Sequence, residues 1–143
     1  MKNQQDAVLV EKAIEASRKA YAPYSKFQVG AALECADGEV ILGCNVENAS
    51  YGLTNCAERT ALFSAIVQGK REFKRIAVFV DTDEFTSPCG ACRQVLAELA
   101  PNATVLLVNK HRKVKKTTVK ALLPLAFGSE DLEHHAEVHG EGH

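Results

Sequence analysis

The sequence predicts a three-layer α/β/α domain built on one mixed five-stranded sheet. Helical and strand-like segments alternate along most of the chain, turn signals separate them, and 143 residues suffice for a single core. A chain of this length buries roughly 68–70% of the surface its unfolded form exposes. Hydrophobic residues make up 46% and charged residues 24%, and the formal net charge is −1. That balance calls for neither nucleic acid nor a membrane surface as partner.

Val10, Ile14, Ser17 and Tyr21 share one helical face, which predicts an amphipathic helix over 6–21 ended by Pro23. The segments 27–36 and 39–46 flank Asp37-Gly38 and read as a hairpin. A second helix is expected to begin near Thr54-Asn55, to turn Ala57, Ala61, Leu62, Ala65 and Ile66 toward the core, and to stop around Gly69. The apolar run 76–80 suits a buried central strand. Ser87-Pro88 is expected to open a third helix carrying Val95, Leu96 and Leu99, closed by Pro101. Strands at 104–108 and 114–118 follow, then a short helix over 119–123 ending at Pro124. The segment 129–143, rich in Glu, His and Gly, lacks apolar periodicity and reads as a disordered tail after one domain spanning 1–128.

Glu11 and Lys12 interrupt the N-terminal stretch before any signal-peptide core forms, and no run of about 18 apolar residues occurs. A cytoplasmic location is therefore expected. There, five cysteines serve metal binding or catalysis more readily than disulfides. Cys35 and Cys44 lie in strand-like segments, where a free thiol behaves as a small buried hydrophobe.

The other three have motif spacing: Cys56-Ala57-Glu58, then Pro88-Cys89-Gly90-Ala91-Cys92. Structural zinc normally takes four protein ligands, whereas hydrolytic zinc keeps three and leaves a position for water. Cys56, Cys89 and Cys92 are the expected ligands of one zinc ion, and Glu58 the group that moves protons for its water, as in zinc nucleobase deaminases. Both cysteine segments begin predicted helices, where unpaired N–H groups favour thiolates. The two helices follow strands expected to sit side by side, so their first turns meet at one sheet edge.

The alternative is a structural zinc with a fourth ligand, for which Cys44 and His111 are the weak candidates; His134, His135, His139 and His143 lie in the tail. Three thiolates against one Zn²⁺ leave a surplus negative charge that makes the metal a poorer acid toward water. Arg59, directly after Glu58, is expected to offset it by donating hydrogen bonds to the cysteine sulfurs.

These motifs, with Phe27-Gln28-Val29-Gly30-Ala31, Gly43-Cys44-Asn45-Val46-Glu47-Asn48-Ala49-Ser50-Tyr51-Gly52, Arg93-Gln94 and Leu122-Leu123-Pro124-Leu125-Ala126-Phe127, resemble the small homotetrameric cytidine deaminases from Tyr21 to Gly128. The resemblance implies a cytidine-deaminase-like fold, one Zn²⁺ per subunit, and hydrolysis of cytidine and deoxycytidine in pyrimidine salvage. It also implies that Asn45 and Glu47 grip the ribose 3′-hydroxyl, that Phe27 stacks on the pyrimidine, and that the Ala57 N–H meets the base carbonyl. Phe127, with Tyr51, would reach into a neighbouring subunit's site. Read without the resemblance, Asn45 and Glu47 mark a turn and Phe27 a core position.

Two rivals remain. Blasticidin-S deaminases share the fold and zinc motif, but Arg59 and the full 45–52 run favour a cytidine deaminase. A polynucleotide-editing enzyme would draw on the basic segment 110–116, although lysines there also suit the solvated face of an edge hairpin.

Overall fold

The computed structural model describes residues 3–125. The elements run α1 (Asn3–Ser17), β1 (Val29–Cys35), β2 (Val40–Cys44), a 3₁₀ turn (Tyr51–Leu53), α2 (Ala57–Val67), β3 (Phe73–Val80), α3 (Gly90–Leu99), β4 (Thr104–Val108), β5 (Val114–Thr118) and α4 (Val119–Leu122). The sheet order is β2-β1-β3-β4-β5, with β3 and β4 parallel and the other neighbours antiparallel. The expected mixed five-stranded sheet is therefore present. The expected tail, 129–143, and Phe127 lie outside the described residues.

The two faces of the sheet follow from strand alternation. Ala32, Ala77, Phe79, Leu106 and Val108 point to one side, where Leu9, Val10, Ala13 and Ile14 of α1 cover them. Ala31, Leu33, Ile76, Val78, Val105 and Leu107 point to the other, where they meet Ala61, Leu62 and Ala65 of α2 and Leu96 of α3. Gly30 and Gly43 allow these helices to lie close. A Cβ at Gly30 would overlap Ala13 O and the Ser17 backbone, and one at Gly43 would overlap Ala57 O and Ala61 N.

Four sequence expectations need correction. The first helix ends at Ser17, not near Tyr21; the Ser17 hydroxyl donates to Ile14 O at 2.6 Å, and Tyr21 instead bridges Val46 through Tyr21 N to Asn45 O and Glu47 N to Tyr21 O. Tyr21 is thus 56% exposed and no part of the helical face. The third helix begins at Gly90 with Cys89 as N-cap, leaving Pro88 in the preceding loop. In addition, the strands preceding α2 and α3 are not neighbours, because β1 of the hairpin lies between β2 and β3. Gly30 pairs with Cys44 on one side and Phe79 on the other, so β2 and β3 still end at the same edge. The second helix starts slightly later than expected, at Ala57 after the N-cap Cys56.

The hairpin turn has Gly38 at φ 93°, a conformation that disfavours side chains. Asp37 Oδ1 accepts from Glu39 N at 3.0 Å, and Lys70 pairs with both Asp37 and Glu39. A second polar cluster ties α1 to the sheet. Arg75 on β3 bonds Asp6 and Glu34 at 2.6 Å each, and Lys116 on β5 reaches Asp6 at 2.9 Å.

Burial pushes the Asp6 carboxyl up, but the bonds from Lys116 and Arg75 outweigh it and hold the group below its ordinary 3.8. A depressed folded-state pKa stabilises above the unfolded value and loses that stabilisation as pH falls through the folded one. Asp6→Asn is accordingly expected to cost on the order of 1–3 kcal/mol at pH 7. Urea unfolding of both proteins should show the difference shrinking as pH falls below the ordinary carboxylate value of about 4; a pH-independent difference would show that the charge of Asp6 does not contribute.

Candidate active site

The edge where β2 and β3 end receives the first turns of two helices that pack against each other, α2 and α3. Cys56 and Cys89 are their N-caps, each with extended backbone and no side-chain capping bond. Cys92 is the third residue of α3. Cys56 Sγ lies 3.8 Å from Cys89 Sγ, Cys89 Sγ lies 3.5 Å from Cys92 Sγ, and all three sulfurs fall within 4.8 Å of one another. Tetrahedral zinc with Zn–S bonds of about 2.3 Å requires sulfurs roughly 3.8 Å apart, so the donor set fits the ion in both chemistry and spacing.

Among the described residues no fourth metal-binding side chain joins this group. Cys44 Sγ instead meets Lys19 O at 3.5 Å, and His111 Nε2 meets Asp83 Oδ1 at 2.8 Å. Cys35 is buried in the core, as expected for a small hydrophobe. The tail histidines lie outside the described residues.

Three sulfurs this close cannot all ionise without compensation. A hydrogen bond from Cys92, with others from Arg59 and Cys89, holds the Cys56 thiol down at about 5. Cys92, bonded to that thiolate and desolvated, is pushed well up. Arg59 Nη2 donates to Cys56 Sγ at 3.3 Å, and this partner raises the guanidinium's own pKa. Its Nε is buried and has no hydrogen-bond partner among the described residues. Arg59 is thereby committed to the sulfurs.

Glu58, the second residue of α2, is 4% exposed. Burial pushes its carboxyl up to about 7, and the charge on Cys56 adds to the effect. Ala57, fully buried, begins the helix, where amide N–H groups lack intrahelical acceptors.

The remaining expected site residues that the structure describes gather on the chain leaving β2 and on the segment before β1. Val46 pairs with Asn55 on one side and Tyr21 on the other, so residues 45–47 lie between those two segments. Asn45 Nδ2 donates to Phe27 O at 2.8 Å, and its Oδ1 accepts from Val29 N at 2.9 Å. Glu47 Oε1 accepts from Tyr24 N and Ser25 N at 3.0 and 3.1 Å, and Oε2 from the Ser25 hydroxyl. Phe27 is 55% and Tyr51 89% exposed. Phe27 is therefore not the core residue that its strand position alone suggests.

Two participants had no role assigned to them from the sequence. Ser25 sits in a loop without periodicity, and only the fold brings it to Glu47. Arg93 bonds Pro88 O and Leu122 O at 2.8 Å each, tying the Cys89 turn to α4. In the basic segment, Arg112 pairs with Glu11, Lys116 with Asp6, and Lys110 and His111 with Asp83. Those side chains are engaged by carboxylates rather than arrayed for phosphates.

Three thiols, a buried carboxyl and two helix N-termini make this a zinc-dependent hydrolytic centre. The family described as the cytidine and deoxycytidylate deaminase zinc-binding region matches residues 3–108. A cytidine deaminase of Halalkalibacterium halodurans is 57% identical over 126 residues, covering 87% of this chain and 96% of that protein. The crystal structure of a cytidine deaminase from Burkholderia pseudomallei superposes with a TM-score of 0.83 at 56% identity, covering 85% of this chain and 98% of that one. A blasticidin-S deaminase of Bacillus cereus is 35% identical over 133 residues, covering 87% of this chain and 94% of that protein. The chain belongs to the cytidine and deoxycytidylate deaminase zinc-binding family.

Removing the guanidinium should raise the pKa of the Cys56 thiol, so that protons compete with zinc for it, and should free the sulfur from the 3.3 Å bond that orients it. Arg59→Gln is expected to speed the release of zinc to a chromophoric chelator and to move the pH profile of turnover. Unchanged zinc retention together with an unchanged profile would exclude Arg59 from that task.

Proposed function

We propose that this chain hydrolyses cytidine to uridine and ammonia and treats deoxycytidine in the same way. The observation that carries the reading is Glu58: a carboxyl 4% exposed, in the first turn of α2, beside three sulfurs that lack a fourth protein partner among the described residues. Zinc held by Cys56, Cys89 and Cys92 supplies the Lewis acidity that makes water a nucleophile near neutral pH.

The protein's own groups do the rest. The Ala57 N–H donates to the base carbonyl, and Phe27 stacks on the ring. Asn45 and Glu47 take the 3′-hydroxyl of the sugar. Glu58 carries the two protons of the water, delivering one to N3 and one to the departing amino group. The water oxygen becomes O4 of uridine, the C4–N4 bond breaks, and ammonia leaves, so atoms and charge balance. Burial suits Glu58 to this work, because a carboxyl in a poorly solvated site exchanges protons near neutrality.

The proposed assembly is a homotetramer whose sites are completed by Phe127 and Tyr51 of neighbouring subunits. Its support is exposed apolar surface: Tyr51 at 89%, Leu53 at 70%, and Phe63 and Val67 on the outer side of α2. The proposed setting is pyrimidine salvage in the cytoplasm, where a reducing medium keeps thiol ligands available. Among the described residues no helix is long and apolar enough to cross a membrane.

Glu58→Ala is expected to retain zinc and fold while losing roughly 10²–10⁴-fold in turnover, followed as loss of ultraviolet absorbance with cytidine, deoxycytidine, blasticidin S or a cytosine-containing oligonucleotide. Substantial residual turnover would falsify the role of Glu58, and turnover confined to the antibiotic or the oligonucleotide would replace the substrate reading. Charging the outer face of α2 with Phe63→Glu and Val67→Glu together should dissociate the tetramer in sedimentation experiments and lower activity with it. Full activity as a monomer would show that each site is complete by itself.

A further inference from the structure

Glu47 is already occupied before any sugar arrives, and the way it is occupied determines what it can still accept. An ionised carboxylate offers about four lone-pair positions and no donor. Tyr24 N and Ser25 N both donate to Oε1, and the Ser25 hydroxyl donates to Oε2. Counting donors among the described residues, one acceptor position remains, on Oε2. The bond from Ser25 is the leading cause that holds the Glu47 carboxyl below its ordinary 4.5, so the group stays an anionic acceptor.

Ser25 Oγ also accepts from Phe27 N at 3.0 Å. The Phe27 peptide is therefore gripped at both ends, at its N–H by Ser25 and at its carbonyl by Asn45 Nδ2 at 2.8 Å. Between Ser25 and Phe27, Lys26 sits at φ 67°, a left-handed conformation that a non-glycine residue keeps only when its surroundings fix it. One exposed hydroxyl thus joins the carboxylate proposed to read the sugar to the backbone of the ring proposed to stack on the base.

We propose that Ser25 is a positioning residue for nucleoside binding: its hydroxyl fixes Glu47 so that a single oxygen faces the sugar, and sets Phe27 relative to it. The proposal rests on the reading of Asn45 and Glu47 as the sugar-binding pair. Its consequence is a site that takes one hydroxyl donor from the sugar through Glu47, which accommodates ribose and deoxyribose alike.

The test compares Ser25→Ala, Ser25→Thr and Glu47→Gln in the zinc-loaded full chain, with cytidine and with 3′-deoxycytidine, which lacks the hydroxyl concerned. Ser25→Ala is expected to raise KM for cytidine about tenfold, the equivalent of one hydrogen bond to a charged group, with kcat altered less than about threefold. Ser25→Thr, which keeps the hydroxyl, should restore KM, and the penalty of Ser25→Ala should shrink below about threefold with 3′-deoxycytidine. Zinc content and thermal midpoint report that the fold is retained.

If Glu47→Gln raises KM for cytidine while Ser25→Ala leaves it unchanged, the role of Ser25 is overturned and the sugar reading stands. An equal loss by Ser25→Ala on both nucleosides, or no rescue by threonine, makes Ser25 merely structural and also overturns the proposal. If Glu47→Gln itself leaves KM for cytidine unchanged, the sugar reading falls, and the proposal with it.

Discussion

Three sulfurs within 4.8 Å of each other at the junction of two helices form a concentration of charge that the rest of the molecule must accommodate. Two features of this chain reduce its cost. Cys56 and Cys89 cap helices whose first N–H groups have no intrahelical acceptor, so the local field already favours anions. Arg59 adds a full positive charge at 3.3 Å from Cys56 Sγ. Neither feature neutralises three thiolates, and the raised pKa of Cys92 is the residue of that imbalance. A divalent cation removes it, which is why the site belongs to a metal rather than to a disulfide or a lone nucleophile.

That arrangement depends on how closely the helices approach the sheet. Gly43 faces the first turn of α2 at Ala57 and Ala61, so the strand itself sets the depth at which Cys56 and Glu58 lie. Gly30, on the adjacent strand, does the same for α1 on the opposite face. The site is thus mounted on the sheet, and the loops supply only residues proposed to meet the sugar and the base. Arg93 reinforces the mount by holding the Pro88 carbonyl just before Cys89.

Much of this was legible in the sequence because period and turn chemistry are local. Strands β4 and β5 fall where the alternating and apolar runs put them, and Asp37-Gly38 marks the hairpin. The three-cysteine cluster was legible for a different reason: few other chemistries require this cysteine spacing. What the sequence left out is non-local. Tyr21 continues the apolar period of α1 but leaves the helix for a bridge to Val46, a tertiary contact that periodicity does not register. The order of β2, β1 and β3 depends on how the hairpin docks. Ser25 and Arg75 acquire their partners only when distant segments meet.

Glu47 and Glu58 illustrate the limit most clearly, since the same residue type acquires opposite properties within one short stretch of chain. Glu58 is buried among poorly solvating neighbours and its pKa rises to about 7. Glu47 sits nearer the surface among donors of the 24–25 segment, and its pKa falls. A carboxyl poised near neutrality suits the carrying of protons, whereas one locked as an anion suits the holding of a hydroxyl. The sequence supplies two glutamates; the environment divides the proposed work between them, and exchanging their surroundings would disable both tasks without altering either side chain.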